Sequence, residues 1–255
     1  MAAGNKLYKS QKYEEAIREY EKVLAFHPNR WDASYMTAIS YLSLYHPGST
    51  HPKDIEFAEK AVQSFKKLLD MQAPDTETAA KVRGYYVNLL VQADRVDEAI
   101  AFYEKVLEGN PNDVDTIAQI AQLYAKKNDF EKAKEYYVRR AEVDPSNKEA
   151  WYTVGVICWE RSYRGSAMIS NKERADIVAE GLAALEKART IDPEYMSALA
   201  YTNLLWRERA KVLLDAGDVQ GAGQAILQAD QFQKQALAIL NRNKAASDAQ
   251  GKAGA

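Results

Sequence analysis

With 255 residues, a net charge of −2 and 47% hydrophobic side chains, the chain has the makeup of an ordered, core-forming protein. Near-neutral charge with both signs interleaved argues against non-specific nucleic-acid binding, which needs a basic field to displace counterions. No apolar run approaches the roughly 20 residues that cross a bilayer, and the single cysteine cannot form an internal disulfide.

The opening MAAGNKLYKS lacks a charged start followed by an apolar block, so it does not read as a signal peptide. The first strongly patterned stretch is YEEAIREYEKVLAFHPN, residues 13–29, a helix that closes on a proline. It recurs as VDEAIAFYEKVLEGNPN from Val96 and as FEKAKEYYVRRAEVDPS from Phe130. Ala16 to Ala99 is 83 positions, Ala99 to Ala133 is 34, and Pro111 to Pro145 is again 34. A fixed period of this length is the signature of a helix-turn-helix array. In each copy a small residue precedes an aromatic by four positions: Ala16 and Tyr20, Ala61 and Phe65, Ala99 and Tyr103, Ala133 and Tyr137. That spacing puts both on one helical face, the alanine admitting a neighbouring helix and the ring filling the space beside it. Acidic residues such as Glu14, Glu15, Asp97, Glu98 and Glu131 open these helices, where the dipole favours them.

The pattern predicts six helix pairs in chain order, over 1–30, 31–77, 78–113, 114–147, 148–195 and 196–241, and no strand. Gly4 falls midway along the first helix of pair one, so the chain is expected to begin half a helix late, as a fragment does. Pair two carries about eleven extra residues around LSLYHPGSTHPKD, and pair five about fourteen around ERSYRGSAMISNKERAD. In the latter, Ser170 and Glu173 have capping-box spacing, so a helix is expected to start there. In pair six the first helix runs through Leu213 until Gly217 breaks it. The last helix, from Val219 to about Leu240, presents Gln224, Gln228, Gln231 and Gln235 and suits the polar end that a solenoid needs. From residue 242 the composition predicts a disordered tail.

The chain resembles the tetratricopeptide repeat family. Ala150-Trp151-Tyr152-Thr153-Val154-Gly155 follows the family's pattern of Trp, two intervening residues, an apolar residue and Gly. Ala121 with Tyr124 follows its small residue with an aromatic three on. The resemblance covers nearly everything but the tail. It implies an all-α fold, a right-handed superhelical solenoid of about six pairs with insertions in pairs two and five. It also implies that the first helices line a concave groove that takes peptide segments. Carried onto this sequence, the groove candidates are Tyr35, Ile39, Asn88, Gln122, Tyr152, Val156, Trp159 and Arg207. Asn88 and Gln122 would pair with a peptide backbone, and Tyr152 and Trp159 would anchor apolar side chains. Gly4-Asn5-Lys6 also resembles the opening of co-chaperone members that clamp an acidic C-terminus. Here the next two first helices offer Met36, Ile39, Gly84 and Asn88 where that clamp needs basic residues, so it is not expected.

Catalytic chemistry finds little support. His46, His51, Asp54 and Glu56 share one Pro/Gly loop, read as a solvated insertion and not as converging metal ligands. Cys158 reads as a buried packing thiol, with no histidine in its repeat or those adjoining to activate it. Ser64 and Lys67 satisfy Ser-x-x-Lys by chance in mid-helix. No phosphate-cradling glycine loop occurs. Arg139, Arg140, Arg161 and Arg164 read as a solvated face. No cofactor and no metal are expected.

The expected function is therefore a non-enzymatic protein–protein interaction scaffold that binds a partner's peptide segment in the groove. The alternatives are an envelope or periplasmic protein binding a peptide or small ligand, which an upstream signal peptide would favour, and a self-assembling structural repeat protein that associates through the open first pair. The compartment, cytoplasmic or periplasmic, stays open between these readings, as does the identity of the partner.

Overall fold

A computed structural model describes the backbone of residues 1–253 and the side chains of residues 1–245. Among the described residues there are twelve α-helices and no strand, as the periodicity predicts. The chain divides into two compact units, Met1–Phe102 and Tyr103–Ala255.

The first unit holds α1 (Ala2–Lys9), α2 (Tyr13–Phe26), α3 (Trp31–Leu44), α4 (Pro52–Leu69), α5 (Thr76–Gln92) and the first turns of α6 (Val96–Gly109). Neighbours in sequence pack as neighbours in space: α1 on α2, α2 on α3, α3 on α4, α4 on α5. Its core is the repeated alanine–aromatic pattern. Ala16, Tyr20, Ala61 and Phe65 are fully buried, and burying each ring contributes about 2 kcal/mol. Gly4 is placed where a Cβ would lie 2.5 Å from the Tyr20 ring, so only glycine admits the ring there. α1 has eight residues.

The second unit holds the rest of α6, then α7 (Val114–Lys126), α8 (Phe130–Val143), α9 (Lys148–Arg164), a single 3-10 turn at Ser166–Met168, α10 (Asn171–Ile191), α11 (Met196–Asp215) and α12 (Val219–Ala253). Here α7 packs on α8, α8 on α9, α9 on α10 and α11, α10 on α11, and α11 on α12. Gly155 faces Leu185, whose Cγ would be 2.4 Å from an added Cβ, and Gly181 faces Cys158 and Leu205 in the same way. Trp151 is buried and donates its indole N–H to the Pro145 carbonyl at 3.1 Å, which ties the start of α9 to the turn proline.

Local chemistry sets the helix limits. Asp75, Asp113, Asp129, Asn147 and Ser170 each accept a backbone N–H from the first turn of the helix they precede. Four hairpins share one tight turn. Gln11, Asp94, Asn128 and Gly217 all have positive φ, between +59° and +82°. The next residue in each case donates its N–H to a carbonyl five residues back, as Lys12 does to Leu7 and Asp129 to Tyr124. This is a Schellman closure, and it satisfies carbonyls the helix end leaves open.

The contacts repeat with the sequence. The Tyr41 hydroxyl donates to Glu21, and the Tyr124 hydroxyl donates to Glu104, each a first-helix ring reaching the second helix before it.

Three boundaries differ from those the sequence predicts. α5 starts at Thr76, inside the range assigned to pair two, because Asp75 caps it. The extra residues of pair five mostly lengthen helices, leaving only Gly165 to Ser170 between α9 and α10. α12 continues to Ala253, past residue 242, where a disordered tail is expected; Lys, Ala and Gln are good helix formers, and extending an existing helix avoids the cost of a nucleus. Residues 254 and 255 of that expected tail lie outside the described residues.

Candidate functional site

In the first unit, α1, α3 and α5 bring three tyrosines together. The Tyr35 ring stacks on Trp31 at 5.2 Å, and its hydroxyl lies near the phenols of Tyr85 and Tyr8. Burial first, then these neighbouring phenols, push the Tyr35 hydroxyl above its usual range. Tyr85 rests on Phe65 and keeps 38% of its surface exposed. At the far end of the same helices the Tyr45 hydroxyl donates to the Gln92 carbonyl at 3.0 Å. Ile39 is half-buried and Asn88 is exposed. The Asn5 Oδ1 accepts from the Tyr20 hydroxyl at 2.9 Å, while the residue itself stays exposed.

In the second unit, α9 and α11 build a continuous aromatic cluster. Tyr152 and Trp159 sit seven residues apart, two helical turns, on one face of α9. Tyr201 of α11 stands between them, edge-on to Tyr152 at 5.4 Å and to Trp159 at 5.3 Å. Tyr195 continues the cluster beyond Tyr152, and Tyr163 stacks flat on Trp159 at 5.2 Å. Each end carries an ammonium over a ring: Lys148 over Tyr195 at 4.8 Å and Lys211 over Tyr163 at 5.2 Å. All five rings are partly exposed, and Val156 lies half-buried between the two turns of α9. Burial leads the causes that raise the Tyr152 and Tyr195 hydroxyls.

The remaining candidates are placed differently. Gln122 is exposed on α7. Arg207 is tied to α12, donating to Asp230 at 2.9 Å and to Gln233 at 3.3 Å, with its Nε on Asn203. Its charge is thereby balanced within the unit.

Sequence reasoning missed Tyr8, Tyr85, Tyr195, Tyr163 and Tyr201. The signal was present, since each is an aromatic on or capping a first helix, but the family spacing points to the residues beside them.

The arrangement offers ring faces and edges with an ammonium at each end. Cys158 is fully buried, and burial pushes its thiol up to about 12. His46 does meet an acid, its Nδ1 lying 2.8 Å from Asp54, which also accepts from Ser49 at 2.6 Å; the pair orders the loop before α4. Among the described residues no three His, Cys, Asp or Glu side chains are grouped to hold a metal ion. Among them, too, no helix is long and apolar enough to cross a membrane.

Profiles described as tetratricopeptide repeat match residues 1–46 and 90–155, the segments that carry the alanine–aromatic pattern and three of the Schellman turns. The chain is a tetratricopeptide repeat protein. Among its relatives is the human protein O-mannosyl-transferase TMTC3, 24% identical over 219 residues. That match takes in 83% of the repeat protein but 22% of the transferase, so the chain spans about a fifth of the relative's length. The photosystem I assembly protein Ycf3 of Cuscuta obtusiflora is 27% identical over 166 residues, covering 62% of this chain and 97% of Ycf3. Among solved structures, YrrB, described as a tetratricopeptide protein with an unusual peptide-binding site, is 22% identical, with 77% of this chain and 86% of YrrB aligned at a TM-score of 0.42. A tetratricopeptide fold supports a general role as a protein–protein interaction scaffold.

Proposed function

We propose that this repeat protein is a non-enzymatic scaffold that docks a peptide segment of a partner in the groove along the first helices of its second unit, with the α9–α11 face as the main contact. The observation that carries the reading is the aromatic cluster of Tyr152, Tyr201 and Trp159, partly exposed and already packed edge to face. Rings held in place lose little freedom when a ligand arrives, so little of the binding free energy is lost to ordering the site. Large rigid aromatics are also the side chains that dominate protein interfaces. Val156 between them gives an apolar floor, and Gln122 is an exposed amide on the preceding first helix.

The test is affinity capture with wild type and a Trp159→Ala variant, followed by direct titration of the captured segment. The variant is expected to keep its helical circular dichroism and bind at least tenfold more weakly. A correctly folded variant that binds the same segment with unchanged affinity removes this face from the function.

A further inference from the structure

Three stripes run along α12. Ala222, Ala225 and Ala229 are buried, and α11 is the helix that packs on α12. Gln220, Gln224, Gln228, Gln231 and Gln235 are exposed and make up the polar stripe. The third stripe is Gly223, Leu227, Asp230, Lys234, Leu237 and Asn241, whose members alternate four and three apart. That spacing keeps a straight seam on one side of a helix, about 27 Å long at about 1.5 Å per residue. At about 100° per residue the seam stands about 130° round the axis from the buried alanines, so it faces away from α11.

The seam is uncovered. Leu227 and Leu237 are 63% and 49% exposed, and a Cβ added at Gly223 would meet nothing within 4 Å. Ile226 and Leu240, also exposed, border it on the side toward the alanines. Exposed apolar side chains gathered on one face mark an interaction surface.

The charges show what covers it. Asp230 meets Arg207 at 2.9 Å yet keeps 44% of its side chain exposed. Lys234 is exposed and meets no carboxylate among the described residues. These two charges are each two residues from Phe232, and Leu227 and Leu237 are each five residues from it. A twofold axis at the level of Phe232, with two copies of α12 running antiparallel, therefore sets Asp230 of either copy against Lys234 of the other. The same axis sets Leu227 of either copy against Leu237 of the other. One operation satisfies both sets, as an isologous contact requires. A parallel pairing would set like charge against like.

We infer that this face of α12 is a self-association surface, and that its occupant is α12 of a second copy, packed antiparallel along the seam. Leucines from both copies form its apolar layers, and the two Asp230–Lys234 pairs fix register and direction. The surface uses neither the α9 rings nor the open first pair, and it does not rest on the peptide-docking function.

Sedimentation equilibrium of the full chain from micromolar to millimolar concentration tests this. Wild type is expected to show a reversible monomer–dimer equilibrium. Lys234→Glu, which sets carboxylate against carboxylate, and Asp230→Lys, which sets ammonium against ammonium, should each weaken it about tenfold or more. An equimolar mixture of the two variants should recover the dimer, because every facing pair is again of opposite sign. Leu227→Glu, at an exposed position, should abolish association and keep the helical circular dichroism of wild type. Trp159→Ala should leave association unchanged. Should Asp230→Lys lose its helicity, Lys234→Glu and Leu227→Glu still decide. A wild-type chain that stays monomeric at millimolar concentration overturns the assignment, the face then belonging to a different protein. A dimer that survives Lys234→Glu or Leu227→Glu overturns it, and so does a mixture of two folded charge variants that associates no better than either alone.

Discussion

Glycines 155 and 217 are required for different reasons, and the difference is measurable. Gly155 gives up its side chain so that Leu185 can sit against the α9 backbone. Gly155→Ala is expected to cost about 1–3 kcal/mol in urea unfolding, the range for overpacking a tight core. Gly217 faces open space but has φ +82°. Gly217→Ala should cost about 1–2 kcal/mol through backbone strain alone. Cys158 gives a third check. With its thiol pushed up to about 12 by burial, it should resist alkylation at mild alkaline pH and react at the rate of a free cysteine once urea unfolds the chain. Gly155 and Cys158 were legible from the repeat pattern. The shared turn conformation was not, because Gln11, Asp94, Asn128 and Gly217 are different residues doing one job.

Among the elements, the insertion in pair five shows most clearly what a repeat pattern leaves out. Ser170 does cap α10, accepting from the Glu173 N–H at 3.1 Å, as its spacing predicts. The packing beyond that cap was not legible: the extra turns of α10 and α11 lie against each other through a buried ion pair. The Arg174 guanidinium meets the Glu208 carboxylate, whose side chain is 3% exposed, and Lys211 approaches the same carboxylate at 2.7 Å. Contacts between residues 34 apart carry no local signature. Arg174→Met should cost about 3 kcal/mol, because it leaves a buried carboxylate with one cation instead of two. Adding Glu208→Leu should recover most of that loss in the same urea titration. α12 diverges from its expected role in another way. Its glutamines are exposed as foreseen, but Leu227, Leu237 and Leu240 are exposed with them, so the outer face is mixed and not polar throughout.

For the whole molecule, the fold class was legible because a 34-residue period leaves few alternatives, whereas nothing in a repeat names its ligand. Alkaline pH provides a global test of how the tyrosines are held. The Tyr124 hydroxyl is pushed up to about 12, first by burial and then by Glu104 beside it. Burial raises Tyr20, Tyr86, Tyr136 and Tyr137 as well. Well below their ordinary value of about 10 these groups are protonated in both states and contribute no pH dependence. From about 10 to about 12 the unfolded chain releases protons that the native one keeps, so stability should fall across that window. Urea midpoints taken alongside phenolate absorbance would show it, and Tyr124→Phe should lessen the change. The sign follows from the raised native values: the unfolded chain binds fewer protons there, so each step up in pH favours unfolding. A second global expectation concerns the clamp that MAAGNK superficially suggests. With Met36, Ile39, Gly84 and Asn88 where α3 and α5 would have to supply basic residues, an acidic chaperone C-terminal peptide should give no saturable heat in calorimetry.

The position of Tyr201 changes how any alanine scan of the second unit must be interpreted. Because one ring on α11 supports two on α9, truncating any of the three loosens the others. Their individual losses should sum to more than the loss of all three together. Tyr201→Ala alone should therefore mimic either neighbour, although the family register passes it over.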